Sequence, residues 1–191
     1  MTYTSQKPVD QRFIHSGITW SQFKSIQAGF LDSPGIQLFY YRGELEILST
    51  SPDHEIVKGN LGYLLETYLV EREIDFMGTG SCSLEKENEA SVMANESYCF
   101  GEQKPIPDLA IEVVLTSGGT PKLERYKALG VKEVWFWENR KISVYALENE
   151  RYQSIARSQF VPNLNLEWLA RCATLSSRIQ AVREFRTRST L

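Results

Sequence analysis

Several patterns are missing from this chain of 191 residues, and each absence removes a class of protein. Cysteine is scarce. Cys82, Cys99 and Cys172 are odd in number and show no C-x-x-C spacing, which excludes a disulfide framework and reads as reduced thiols in a cytoplasmic protein. Histidine is scarcer still: His15 and His54 form no His-rich tract that would mark structural zinc. No apolar run is long enough to span a bilayer, and no basic start leads into one, so neither a membrane anchor nor a leader is expected. Positive charge is not in excess. Lys and Arg number 21 against 24 Asp and Glu, a net charge of −3, so the chain as a whole is no basic nucleic-acid binder, although a local basic groove stays open. Internal repeats, low-complexity segments and a convincing domain boundary are absent too.

What remains is an ordinary globular composition, 42% hydrophobic and 24% charged. The length suits one domain over residues 1–191 with one sizeable core. Met1 to Arg12 reads as a polar, flexible arm, and residues 19–186 as the folded body. Thr19 caps a short helix through Gln27. Ile36–Tyr41 and Glu44–Leu48 form a hairpin around Arg42-Gly43. The longest helix runs from His54 to Glu73, with Val57, Leu61, Leu64, Leu65, Tyr68 and Leu69 on its apolar stripe. Short strands follow at Ile74–Met77, Ser81–Lys86 and Ser97–Phe100. Later come strands at Glu133–Glu138, Lys141–Leu147 and Arg151–Ala156, then helices at Leu166–Cys172 and Ser176–Phe185. The order predicts an α/β fold, a mixed sheet with helices against it.

Pro105 to Trp137 is the most informative stretch. An apolar strand, Leu109 to Leu115, leads through Gly118-Gly119 to a helix with Thr120 as N-cap, Pro121 in its first turn and Gly130 at its end. A second apolar strand follows at Val134–Trp137. This is a strand–helix–strand crossover. Side chains alternate along a strand, so Leu109, Ile111, Val113 and Leu115 share one apolar face. Asp108, Ala110, Glu112 and Val114 share the other.

Glu112 is an acid where burial is expected, and a buried carboxylate must be paired, hydrogen-bonded or bound to a metal. Two readings are open. In one, Glu112 pairs with Lys122, Arg125 or a backbone donor. In the other, it is a ligand for Mg²⁺, with Lys122 reaching the same site, a combination suited to phosphodiester hydrolysis. Asp108 lies about 13 Å along the strand from Glu112, too far for one shared ion. A second ligand must then come from the segment that holds Glu85, Glu87, Glu89, Asn95 and Glu96.

Three segments together resemble the Uma-type restriction endonuclease family of the PD-(D/E)xK nuclease superfamily. They are L-E-I-L-S-T-S-P-D-H-E (Leu45 to Glu55), P-D-L-A-I-E-V-V (Pro107 to Val114) and K-L-E-R-Y-K-A-L-G-V-K-E-V-W-F-W (Lys122 to Trp137). The resemblance spans Thr19 to Arg186. It implies a restriction-endonuclease-like α/β core with a mixed central β-sheet flanked by helices. It also implies cleavage of DNA that depends on Mg²⁺ (or Mn²⁺), and a homodimer. Carried over by position, Glu112 matches the acid of the (D/E)xK element. The lysine expected two residues later is Val114, and Lys122 on the next helix takes its place. The family's earlier aspartate falls on Asn95, within Met93-Ala94-Asn95-Glu96-Ser97-Tyr98. Glu46 and His54 match a recurrent acid and histidine around the start of the long helix, and Asp108 a recurrent aspartate at the edge of the site.

Asn95 lacks the carboxylate charge, so the resemblance implies weaker metal binding and a weakened or silent nuclease. The leading expectation is an Mg²⁺-dependent endonuclease weakened by Asn95; its rivals are a silent family member that binds nucleic acid or a protein partner, and a metal-free protein with a buried Glu112–Lys122 pair. For single residues the plainer readings are also set down. His54 is a helix-start residue bonding backbone, Glu46 a solvated edge-strand charge, and Trp135, Phe136 and Trp137 are core. The C-terminal arginines form a solvated helix end favoured by the helix dipole.

Overall fold

Apolar runs write the central strands, and two-residue turns join several of them. The computed structural model describes residues 9–115 and 120–189. In order they form β1 (Gln11–Ser16), α1 (Trp20–Gly29), β2 (Ile36–Tyr41), β3 (Glu44–Ser49), α2 (Pro52–Glu71), β4 (Phe76–Gly78), β5 (Ser83–Lys86), β6 (Ala90–Met93), β7 (Glu96–Phe100), β8 (Leu109–Val114), α3 (Leu123–Leu129), β9 (Glu133–Glu138), β10 (Lys141–Glu148), β11 (Arg151–Ile155), α4 (Leu166–Cys172) and α5 (Arg178–Ser189). The β2–β3, β9–β10 and β10–β11 turns place both central residues at positive φ: Arg42 and Gly43, Asn139 and Arg140, Asn149 and Glu150. That backbone twist matches the strands it joins, which is why such short hairpins close.

The strands make two sheets. The first, β1-β3-β2-β6-β5, is antiparallel throughout. The second, β11-β10-β9-β8-β7-β4, is mixed, because β8 and β9 run parallel with Glu112 opposite Phe136. The crossover between them is α3, as the spacing predicted. Gly130 closes it at φ +79°, the left-handed conformation that glycine reaches without strain.

Helix α2 fixes one side of the second sheet. Val57, Leu61, Leu64, Leu65, Tyr68 and Leu69 meet Leu109, Ile111 and Val113 of β8, with Trp135 and Trp137 of β9, in the largest core cluster. Each fully buried leucine of that stripe contributes roughly 1.5–3 kcal/mol. The other side faces the first sheet. Phe39, Leu48, Val92 and Ala94 pack there against Ala110, Val114, Val134, Phe136 and Tyr126. Glu112 lies on this second side, between the sheets, on the face that strand alternation assigned to it. Helix α1, held by a Thr19–Gln22 capping box, covers the outer face of the first sheet with Phe23 against Tyr40.

Four expectations need correction. The arm does not extend to Arg12: β1 pairs with β3 from Gln11 onward, and Asp10 is buried. Strand β6 stands within a stretch that the sequence left unassigned. The crossover helix is not capped by Thr120. A 3-10 turn, Thr120–Lys122, precedes α3, and Lys122 occupies the N-cap position without a side-chain cap bond. Its amine is committed elsewhere. Finally, β3 is no edge strand, since β1 and β2 flank it. The Gly118-Gly119 turn lies outside the described residues. Among those described, the cysteines are unpaired and no helix is long and apolar enough to cross a membrane.

Candidate functional site

Between the sheets, β8 offers an acid and the start of α3 offers the cations that answer it. Glu112 is fully buried. Its Oε2 accepts from Lys122 Nζ at 2.8 Å, and its Oε1 accepts from the Tyr126 hydroxyl. Lys122 and Tyr126 are four residues apart, the spacing that puts side chains on one helical face. The Lys122 ammonium also stands 4.4 Å from the centroid of the Phe39 ring. Burial, reinforced by the charge of Glu112, raises the Tyr126 phenol well above its usual pKa, so Tyr126 is a neutral donor.

A second charge network joins the first. Glu46, on β3 beside Phe39, is fully buried rather than solvated. It accepts from Arg12 Nε at 2.9 Å and from Arg125 Nη1 at 2.8 Å, while Arg125 Nη2 reaches Glu44 at 3.0 Å. Burial alone would raise the Glu46 carboxyl. The Arg12 hydrogen bond, the charges of Arg125 and Lys122 and the Arg125 hydrogen bond together hold it below the usual carboxylate range. The field of Lys122 therefore acts on both acids.

Asn95 stands where the chain passes from the first sheet to the second. Its backbone N–H donates to Ile111 O at 3.1 Å, and its side-chain Oδ1 accepts from Val113 N–H at 2.6 Å. The side chain thus extends the β7–β8 ladder just ahead of β7, where the chain arrives from β6 in the other sheet. With Oδ1 fixed as the acceptor, Nδ2 is left as a buried donor without a partner among the described residues.

His54 belongs to a separate dyad. Its Nδ1 meets Asp10 Oδ2 at 2.8 Å, and the other Asp10 oxygen accepts from Ser51 N–H at 2.7 Å. The ring binds a carboxylate rather than backbone, and Nε2 has no partner among the described residues. Asp108 is engaged at the start of β8 by Lys104, by Lys132 at 2.8 Å and by Phe100 N–H at 2.9 Å. Burial works against its charge, but these three donors keep its pKa low. It shares no partner with Glu112. The structure therefore brings together Glu112, Lys122 and Glu46, with Asn95 anchored beside Glu112, and leaves Asp108 and His54 in contacts of their own. Tyr126 and Asp10 are the participants that the sequence reading missed. Helical spacing from Lys122 was available to find Tyr126; nothing in the polar N-terminal stretch singled out Asp10.

These side chains do not fit a Mg²⁺ site as they stand. Mg²⁺ takes oxygen acceptors. Each Glu112 oxygen accepts one donor and keeps a second lone pair, but the unpartnered atom of Asn95, the other ligand position, is itself a donor. Among the described residues no three His, Cys, Asp or Glu side chains are grouped to hold an ion.

Glu96, the neighbouring acid, faces the other way. A Cβ on Gly62 of α2 would lie 3.2 Å from the Glu96 carboxyl carbon, so the glycine makes room for it. Burial raises the Glu96 carboxyl to about 7; Lys58 opposes the rise, and Glu66 and Glu55 add to it. The folded state thus binds this proton more tightly than the unfolded chain. Stability falls as pH climbs from the ordinary value of 4.5 towards about 7, and the full cost remains above that. Glu96→Gln is expected to raise Tm at pH about 8 and to leave it unchanged at pH about 4, as scanning calorimetry at both pH values will read.

The fold and the family are then met in known proteins. A sequence profile of the Uma2 family, described as "Putative restriction endonuclease", matches residues 20–176. Five solved chains match in structure. One is a crystal structure from Anabaena variabilis of a "putative nuclease belonging to DUF820", with a TM-score of 0.54 and 13% identity over 88% of this chain and 99% of that one. That likeness shows a shared restriction-endonuclease-like fold. No curated protein matches the chain.

Proposed function

Because the chain belongs to the Uma2 family of restriction-endonuclease-like nucleases, we propose that it is a nuclease-fold protein directed at DNA whose hydrolytic centre is silent as the sequence stands. One observation carries this reading. Asn95 offers a neutral N–H₂ group where the family resemblance implies an aspartate, so Glu112 lacks the second acid oxygen that a metal ion needs. The acids and the lysine are present, but they neutralise each other in a buried network. We take the protein to act in the cytoplasm as a homodimer, the form that the resemblance implies.

The second reading is an active Mg²⁺-dependent endonuclease. The grouping of Glu112, Lys122 and Glu46 favours it, since an acid pair under one lysine is the arrangement that the resemblance leads one to expect. Plasmid nicking with Mg²⁺ or Mn²⁺ separates the two. The wild type is expected to leave supercoiled DNA intact. Asn95→Asp keeps the acceptor that Val113 N–H requires and puts a charged oxygen where Nδ2 stands. It is expected to gain metal-dependent nicking of about tenfold over background and a Tm that rises on adding Mg²⁺. Nicking by the wild type that disappears in Glu112→Ala would establish the active reading instead.

A further inference from the structure

Charge is divided unevenly along this chain. From Arg140 onward nine basic residues stand against four acidic ones, and eight of the nine are arginine, although the whole chain carries a net −3. Earlier cations are engaged by carboxylates, as Lys24 is by Glu85, Arg125 by Glu46 and Lys132 by Asp108. Arg140, Arg171 and Arg188 have no carboxylate partner among the described residues. They come from three elements, the β9–β10 turn, α4 and α5, and they line one hollow of about 630 Å³.

Trp168 organises this hollow. Its side chain is buried, and the indole N–H donates to Glu184 O at 3.1 Å, which fixes the ring. The guanidinium carbon of Arg171 lies 4.9 Å from the ring centroid, and that of Arg188 lies 4.3 Å from it. The ring attracts each cation. It also gathers two like charges that repel each other, with no carboxylate paired to either. A basic last turn suits the dipole of α5, but the dipole does not explain why Arg188 lies over Trp168. Two glutamates share the lining and form no ion pair with these arginines. Glu184 accepts from Gln180 at 2.9 Å, and Glu167 is exposed on a rim shared with a second hollow, where Arg72 and Arg157 stand.

We propose that this arginine-lined groove holds the phosphate backbone of a DNA duplex. A guanidinium presents a planar fork of donors that matches phosphate oxygens. A phosphate between Arg171 and Arg188 supplies the counter-charge that the fold leaves out. The groove has little with which to read a base. The Trp168 ring is taken by the two cations, and Asn165 Oδ1 is used by Trp168 N–H at 2.9 Å. Binding is therefore to backbone and independent of sequence.

The groove lies on the side of the second sheet away from Glu112. Trp168, Leu169 and Phe185 pack with the leucines of α2 against Leu109 and Ile111, whereas Glu112 faces the first sheet. Its Arg140 corner is at the end of the sheet towards which β8 runs. Glu138, two residues before Arg140, pairs with Val114, two residues after Glu112. A duplex on the arginines is thus held by a face that does not include the Glu112 carboxylate, and holding is separable from hydrolysis. The identification of the polyanion as DNA rests on the functional reading above. The unpaired arginines do not.

Fluorescence anisotropy of a labelled short DNA duplex, in EDTA and at salt from about 50 to 200 mM, tests the inference. The wild type is expected to bind, and log K should fall against log salt with a slope of about −3 or steeper, the counterion release of three phosphate contacts. Arg171→Gln and Arg188→Gln should each flatten that slope by about one. Adding Arg140→Gln to both should weaken binding at least about tenfold at the lower salt. Arg151→Gln removes an exposed charge on β11, outside both hollows, and should leave binding within about twofold. If the glutamine variants pack poorly, Arg171→Lys with Arg188→Lys decides: the charges are kept and the slope should be kept with them, and a slope lost there overturns the proposal. Duplex binding undiminished in the triple variant, or weakened as much by Arg151→Gln, overturns it too. So does inorganic phosphate, or a phosphatidylserine vesicle, binding as tightly as the duplex. Those failures leave the functional reading standing, because DNA would then meet another face. A wild type that binds no duplex at all defeats both.

Discussion

Glu112→Ala should lose about 3–5 kcal/mol of folding stability near neutral pH, the cost of leaving a buried charge without its partner. Lys122 is 5% exposed, and Glu112 is its carboxylate partner at 2.8 Å. The Phe39 ring beneath the ammonium offers a favourable quadrupole, but such a contact is worth about 0.5–2 kcal/mol and does not replace a carboxylate. Tyr126 loses the acceptor of its hydroxyl in the same stroke. Replacing both members of the pair tells a different story. Glu112→Met combined with Lys122→Met removes both desolvation penalties, and the double variant should return to within about 1 kcal/mol of wild type or exceed it. Urea denaturation of the two single variants and the double one measures the coupling directly. A loss below about 1 kcal/mol for Glu112→Ala would mean that water reaches Lys122 and that the network is not the closed unit described.

Arg125→Met should cost about 3 kcal/mol, for a related reason in the neighbouring charge network. Arg125 is buried and spans Glu46 and Glu44. Glu46 then keeps the charge of Lys122 and the hydrogen bond from Arg12, whose side chain is 26% exposed and holds its charge partly in water. Arg12→Ala should therefore cost less than Arg125→Met. The pH dependence has a definite sign. The folded Glu46 carboxyl is held below its ordinary value of 4.5, so its contribution is complete above that value and fades as pH falls through the lower folded pKa. The gap between wild type and Arg125→Met should narrow on acidification below 4.5. Equal gaps at pH about 7 and about 3.5 would show that Arg125 acts through packing on Phe39 rather than through the charge of Glu46.

How much of this was legible from the residues depends on which rule each segment obeys. The β8–α3–β9 crossover announced itself because both strands are apolar runs and the helix has a glycine at its end. Helix α2 did so through a stripe of six apolar residues at helical spacing. Strand β1 gave no signal, since all six of its residues are exposed and no side chain alternates into a core. That gap had a second effect. Without β1, β3 looked like an edge, and Glu46 looked like a solvated charge. Asn95 and Glu112 were both singled out from their positions in the chain. What no one-dimensional pattern carried was the occupancy of the Glu112 oxygens, which arises only when a 3-10 turn swings Lys122 and Tyr126 back over β8.

Asn95 has one more consequence. Its side-chain oxygen stands in for a missing main-chain carbonyl at the point where the two sheets part. That task needs an oxygen acceptor at the end of a short side chain, which asparagine and aspartate both carry. The genetic code separates the two by a single base. The exchange is one mutational step, and the aspartate would bring a charge to a position that is fully buried. Architecture guards the position against leucine or alanine, which bring no acceptor to the Val113 N–H. The joint between the two sheets is thus set by a side chain and not by the main chain alone.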